Sequence, residues 1–240
     1  MAIEKNFLQL EFGSGLFFNY SKDPKEGYDK HTSTKGNESY RKYYKEGVSG
    51  ILESVSLYDS KFGTQISMNV KDGDNVYYLP VAVQDQSDNV DTYAESLIKL
   101  LPQLNKGDKV TVRGYNFTPE GDKYSKIGVS ITANDVKLKS KVTNAYFKEG
   151  KLVDGDIPAL EWKLNKLGKN KPTAVSQESK NDYLLDLVTK ETERLKWVQG
   201  ESTPSSEQQT PKSEIPKATP TEAFKSATNV KQEDYDELPF

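Results

Sequence analysis

The sequence predicts a mainly β fold: a small antiparallel Greek-key barrel of five strands with one inserted helix, extra N-terminal strands, a C-terminal helix and a disordered acidic tail. Three observations carry that reading. Apolar and polar residues alternate over several stretches between residues 48 and 132. One amphipathic segment interrupts them, and after residue 199 the composition shifts to Ser, Thr, Pro, Glu and Lys.

The first barrel strand is the apolar run from Val48 to Leu57. In Gly63-Thr64-Gln65-Ile66-Ser67-Met68-Asn69-Val70 the residues Ile66, Met68 and Val70 face one way, and the uncharged polar set Gln65, Ser67 and Asn69 faces the other. Asp72-Gly73-Asp74-Asn75 is a hairpin signal, so Val76 to Val83 is the returning strand. Asn89 to Leu101 reads as a helix with Tyr93, Ala94, Leu97, Ile98 and Leu101 on one side, ended by Pro102. Lys109 to Tyr115 and Tyr124 to Thr132 are the last two strands, joined by the turn Thr118-Pro119-Glu120-Gly121-Asp122. The order β-β-β-α-β-β is that of an OB-fold, a Greek-key barrel whose second and third strands and connecting loops commonly hold single strands or oligosaccharides. Downstream, Leu184, Leu185, Leu187, Val188, Leu195 and Val198 recur at mainly helical spacing behind Asp182, a plausible N-cap. No internal repeat of fixed period is present.

Charge and composition narrow the chemistry. Of 240 residues 29% are charged and 34% hydrophobic, which fits one core domain with appendages. There is no cysteine, and His31 is the only histidine, which removes disulfides, thiolate zinc sites and most histidine-based catalysis. Asp72 with Asp74, and Asp154 with Asp156, flank glycines and are explained by turn chemistry rather than by metal binding. No phosphate-cradling Gly-Lys-Ser/Thr loop or nucleophile elbow occurs, so neither an enzyme nor a cofactor is expected. Met1 to Asn6 does not read as a secretory leader and no stretch reaches the length of a membrane span, so a cytoplasmic location and no membrane partner are expected. The net charge is −3, but residues 200–240 alone hold four lysines against eight carboxylates, so the tail carries the acidity.

That tail has two parts. Residues 200–233 include Pro204, Pro211, Pro216 and Pro220 and offer too little apolar surface to offset ordering, which predicts a disordered linker. Glu222-Ala223-Phe224-Lys225 is its one apolar interruption, a candidate transient helix or second weak contact. Residues 234–240, Asp234-Tyr235-Asp236-Glu237-Leu238-Pro239-Phe240, pair clustered carboxylates with an apolar end, the composition of a peptide that docks in a basic-rimmed pocket. Asp234, Asp236, Glu237, Leu238, Pro239 and Phe240 are the partner-binding candidates.

This tip resembles that of bacterial single-stranded DNA-binding proteins (SSBs), whose tails end in an acidic run followed by Ile-Pro-Phe; Leu238 stands where the isoleucine would be. The match covers about seven residues, and the long extensions around the barrel depart from the bacterial family, so the overall architecture is closer to the phage-encoded kind. The resemblance implies sequence-independent binding of single-stranded DNA during replication, recombination or repair, with partner proteins recruited through the tip. The other reading is a non-catalytic β-rich structural or assembly protein with a flexible interaction tail. Oligomeric state is open in both.

Within residues 1–199, assigned to the DNA-binding domain, a single-strand site needs cations for phosphates and flat rings for bases. Tyr40-Arg41-Lys42-Tyr43-Tyr44-Lys45 interleaves the two just before the barrel, with Tyr20, Lys22, Tyr28, Lys30 and His31 upstream in a stretch that reads as a loop. If Val110 and Val112 point inward, Thr111, Arg113 and Tyr115 point outward on one β face. Tyr77 and Tyr78 lie on opposite faces, so at most one of them, with Tyr77 as the candidate, serves as a base platform while the other packs in the core. Lys123, Tyr124 and Lys126 are placed to close over a strand. Trp162 and Trp197 are expected to be core or helix-packing residues.

Overall fold

The computed structural model describes residues 3–165 and 168–196. Trp197, Val198, the linker, Glu222 to Lys225 and the acidic tip lie outside the described residues. The chain is mainly β. In order it forms β1 (Glu4–Phe7), β2 (Gln9–Leu10), β3 (Phe17–Ser21), β4 (Asp29–Thr32), β5 (Glu38–Tyr43), β6 (Val48–Ser60), β7 (Gly63–Asp72) and β8 (Asn75–Ala82). Then come α1 (Thr92–Ile98), a 3-10 turn at Leu101–Gln103, β9 (Lys109–Phe117), β10 (Lys126–Ala133), β11 (Val136–Lys137), β12 (Tyr146–Lys148), β13 (Lys151–Val153), β14 (Trp162–Leu164), β15 (Asn170–Pro172) and α2 (Ala174–Leu195).

The five strands expected from alternation are all present, as β6, β7, β8, β9 and β10. They lie in one seven-stranded sheet of order β1-β8-β7-β6-β9-β10-β11. β6 serves two neighbours: Val48 to Ile51 pair with Val112 to Lys109, and Ile51 to Ser60 pair with Lys71 to Gly63, with an irregularity in the β6–β7 register between Leu52 and Ser54. Among the described pairings none joins β8 to β10, so the ladder stays open; β8's free edge is taken by β1 in parallel register from Glu4↔Asn75 to Phe7↔Tyr78.

One face of this sheet is the core. Leu52, Val55, Ile66, Met68, Val70, Leu79, Val81, Val110, Val112, Val129 and Ile131 are all buried, joined by Ala94, Leu97 and Ile98 of α1 and Leu184, Val188 and Leu195 of α2. Each fully buried side chain of this kind contributes roughly 1.5 to 3 kcal/mol before the entropy of ordering is counted.

Both helices differ in extent from the expectation. α1 starts at Thr92, with Asp91 as the N-cap accepting from Tyr93 N at 2.8 Å, because Asp85 holds the preceding residues in a turn by accepting from Asn89 N and Ser87 N. It ends early because Pro102 has no N–H to continue the ladder, and the chain tightens into 3-10 bonds from Leu100 to Leu97 O and Gln103 to Leu100 O. α2 begins at Ala174 behind Thr173, whose hydroxyl accepts from Ser176 N, so Asp182 is a mid-helix exposed residue and not the cap. The first turns of α2 carry little apolar signal and are held by polar links: Lys180 to Glu95 at 2.6 Å, and Asn181 to Val90 N and to Asn89.

The region before β6 is more ordered than its composition suggests. Tyr20 lies in β3 and Lys30 and His31 in β4, not in a loop, within a second sheet of order β2-β3-β5-β4. The Lys30–Glu38 pair ties β4 to β5.

Candidate nucleic-acid interface

β9 and β10 present the best-formed combination of cations and rings. Their register sets Arg113 opposite Ser130, Tyr115 opposite Gly128 and Phe117 opposite Lys126, so Arg113, Tyr115 and Phe117 share the face away from Val110 and Val112, as strand alternation requires. The rings of Tyr115 and Phe117 are 5.9 Å apart, and Phe117 is 54% exposed. With Lys126, with Ser96 of α1 and Lys99 at its C-terminal cap, and with Lys137 they line an open groove of about 980 Å3. Glu95 is the one carboxylate lining it, and Lys99 and Lys180 both engage that group. Arg113 and Lys137 have no ion-pair partner among the described residues, whereas Lys126 reaches Asp122 at 3.3 Å on the surface. The groove is therefore net cationic.

Two glycines make this shape possible. A Cβ on Gly128 would stand 2.6 Å from Ser96 Oγ and 2.7 Å from the Tyr115 hydroxyl, so its hydrogen lets α1 sit on β10 while the Tyr115 ring crosses above. Ser96 fixes that contact by donating to Val129 O at 2.9 Å and accepting from Val129 N at 3.1 Å. On β9, a Cβ at Gly114 would stand 2.1 Å from Gly15 O, so the loop of residues 11–16 lies directly against the strand beside Tyr115. Phe12 O seals that loop by accepting from Asn116 Nδ2 and from the Tyr93 hydroxyl, both at 2.9 Å.

The Tyr40 to Lys45 segment is divided by β5. Arg41 and Tyr43 point to one side and Tyr40 and Lys42 to the other. Arg41 donates to Glu11 Oε1 at 2.8 Å and lies over the Phe18 ring at 4.5 Å, while the Tyr43 hydroxyl donates to the same Glu11 oxygen at 2.9 Å. Burial alone would raise the Glu11 pKa, but hydrogen bonds from Ser14 and Tyr43 and the Arg41 charge bring it below the usual carboxylate value. These two candidates thus anchor the 11–16 loop. Tyr44 meets Tyr77 edge-on at 5.8 Å, both against the core, and burial pushes the Tyr44 hydroxyl up to about 12. Of the adjacent tyrosines it is Tyr77 that packs inward, and Tyr78 that turns out to stack on Phe7 at 4.6 Å. Tyr40 is half-buried, Lys42 lies 5.8 Å over the Tyr44 ring, and Lys45 is exposed. At the β9–β10 turn, Tyr124 is 75% exposed with Lys123 5.6 Å over its ring.

The structure thus joins Arg113, Tyr115 and Lys126 in one groove, and the segment 40–45 is not among its lining residues. Phe117 was missed by ending the strand at Tyr115, although its i+2 spacing continues the same face. Trp162 is also corrected: it is 59% exposed on β14, because a two-stranded ribbon has no second layer to cover it. Among the described residues, no helix is long and apolar enough to cross a membrane. No family model matches the chain, and neither the curated proteins nor the solved structures give a match.

Proposed function

We propose that this chain is a sequence-independent single-stranded DNA-binding protein, built on an OB-type barrel of β6 to β10, that recruits replication, recombination or repair proteins through its acidic tip and has no catalytic activity of its own. The observation that carries the reading is the β9–β10 groove, where a guanidinium with no ion-pair partner among the described residues (Arg113) and two adjacent rings (Tyr115 and Phe117) share one β face. Phosphates take the cations and unpaired bases take the rings, each stack contributing roughly 1 to 3 kcal/mol without regard to base identity. The strand order third-second-first-fourth-fifth supports the OB-type reading, with β1 capping the edge of β8.

Binding of the full chain to oligo-dT and to duplex DNA, titrated against salt, tests it. The logarithm of the single-strand binding constant is expected to fall linearly with log salt, and duplex to compete poorly. Equal affinity for the two forms, or no salt dependence, returns the chain to the structural or assembly reading.

A further inference from the structure

Residues 139–172 hold a feature that the barrel groove does not use. They form two separate ribbons, β12–β13 and β14–β15, and each sets a lysine directly across from a lysine: Lys148↔Lys151 in the first, Lys163↔Lys171 in the second. Like charges at opposed positions destabilise a β pair, and an isolated two-stranded ribbon is marginal to begin with. Compensation by carboxylates is lacking. From Lys139 to Lys171 the sequence holds eight lysines and four acids, and among the described residues none of these lysines forms an ion pair, whereas seven lysines elsewhere do. One of the acids, Asp156, is itself occupied in accepting from Thr143 N and Oγ1.

Between the ribbons and α2 lies an open cleft of about 240 Å3 walled by Tyr146, Phe147, Leu160 and Trp162. Tyr146, Phe147 and Trp162 are each about half exposed, although large rings of this type ordinarily bury their area. The cleft is smaller and shallower than sites that enclose a metabolite. The charged residue lining the cleft, Lys180, is engaged by Glu95, and Lys163 and Lys171 lie on the face away from Trp162, but Lys148 and Lys151 share the Tyr146 face of the first ribbon. Open rings with such cations on the same ribbon match an anionic polymer bearing planar groups.

Resting on the single-strand reading above, we infer that the paired ribbons are a second contact for the same nucleic-acid strand, with Trp162, Tyr146 and Phe147 stacking bases and Lys148 and Lys151, on the Tyr146 face of the first ribbon, taking phosphates. The barrel groove holds a short strand by itself, and a longer strand reaches both.

The test uses the full chain and two oligo-dT lengths: about 8 nucleotides, within the span of one OB unit, and about 35, long enough for both contacts. Trp162→Ala and the double variant Lys148→Gln, Lys151→Gln are compared with Arg113→Ala. Trp162→Ala is expected to leave the short oligonucleotide unaffected and to weaken the long one about tenfold, and the lysine pair lowers the log–log salt slope for the long one by about 1.4. Because the lysines are exposed, that second variant stands even if Trp162→Ala disturbs its ribbon. In a Trp197→Phe background Trp162 is the sole tryptophan, and its emission is quenched by the long oligonucleotide only. If both ribbon variants bind the long strand as the parent does while Arg113→Ala weakens both lengths, the ribbon proposal fails and the barrel reading survives. If no oligonucleotide binds the parent, both fail. Loss of a dimer in Trp162→Ala at unchanged DNA affinity assigns the cleft to a second copy of the chain and likewise overturns the proposal.

Discussion

Arg113 and Arg41 show how identical chemistry in the sequence separates in the fold. Arg113 stands on an outward strand position with no ion-pair partner among the described residues, whereas Arg41 is held by Glu11 and covered by Phe18. Arg113→Ala and Tyr115→Ala are therefore each expected to weaken oligo-dT binding by about 1 to 3 kcal/mol at unchanged thermal stability. Tyr44→Ala, which removes a half-buried ring packed on Tyr77, is expected to cost about 1 to 3 kcal/mol of stability instead. Denaturant titration beside binding isotherms separates the two, and a Tyr44→Ala variant of parental stability that fails to bind would return the site to residues 40–45. Glu11 gives a pH signature. Its pKa in the fold is depressed below the ordinary 4.5, so it contributes stability above that value and loses it as pH falls through the lower folded value. Acidification from about pH 5 should destabilise the parent more steeply than Glu11→Gln, which is already weaker at neutral pH. Parallel pH curves for the two proteins would show that ionisation of Glu11 is not coupled to folding.

At the scale of elements, legibility followed burial. β6 to β10 could be read because each buries one face, and a one-sided strand writes its period of two into the sequence. Ile66, Met68 and Val70 are the clearest instance. The ribbons β12 to β15 have no such asymmetry, since Phe147, Leu152, Trp162 and Leu164 stay exposed, so they leave no alternation to read. The start of α2 was hidden for the same reason: its first turns dock through Lys180 and Asn181 rather than through an apolar stripe. The groove was legible only in part. Arg113 and Tyr115 follow from β9 alone, but their wall follows from α1 seating on Gly128, a contact between segments about thirty residues apart that no local pattern encodes. Gly128→Ala tests that wall. The added methyl meets Ser96 and the Tyr115 hydroxyl, so α1 or the ring must shift, with an expected loss of about 1 to 3 kcal/mol in stability and weaker oligo-dT binding. Parental values for both would mean that the α1–β10 contact yields freely and does not shape the groove.

For the whole molecule, the distribution of charge matters more than its net value of −3. Residues 200–240 carry an excess of four negative charges, while Arg113 and Lys137 in the β9–β10 groove and Lys148, Lys151, Lys163 and Lys171 in the ribbons have no ion-pair partner among the described residues. On the proposed reading, residues 200–233, rich in proline and polar side chains, would act as a linker that lets the acidic tip reach those cations. The tip presents carboxylates and the Phe240 ring, much as a strand presents phosphates and bases, so it should compete weakly with DNA and be released when DNA fills the groove. That release would couple occupancy to recruitment of partner proteins. Deleting residues 234–240 is accordingly expected to leave single-strand affinity equal or somewhat tighter, with the gain largest at low salt where attraction is least screened, while abolishing pull-down of partners. Phe240→Ala should lose most partner binding with little change in DNA affinity, since an apolar anchor carries a disproportionate share of such an interface. Oligo-dT titrations at two salt concentrations on the truncated chain decide the matter. Affinity that falls sharply on truncation would make the tip part of the DNA site or of the fold, and the docking role would have to be given up.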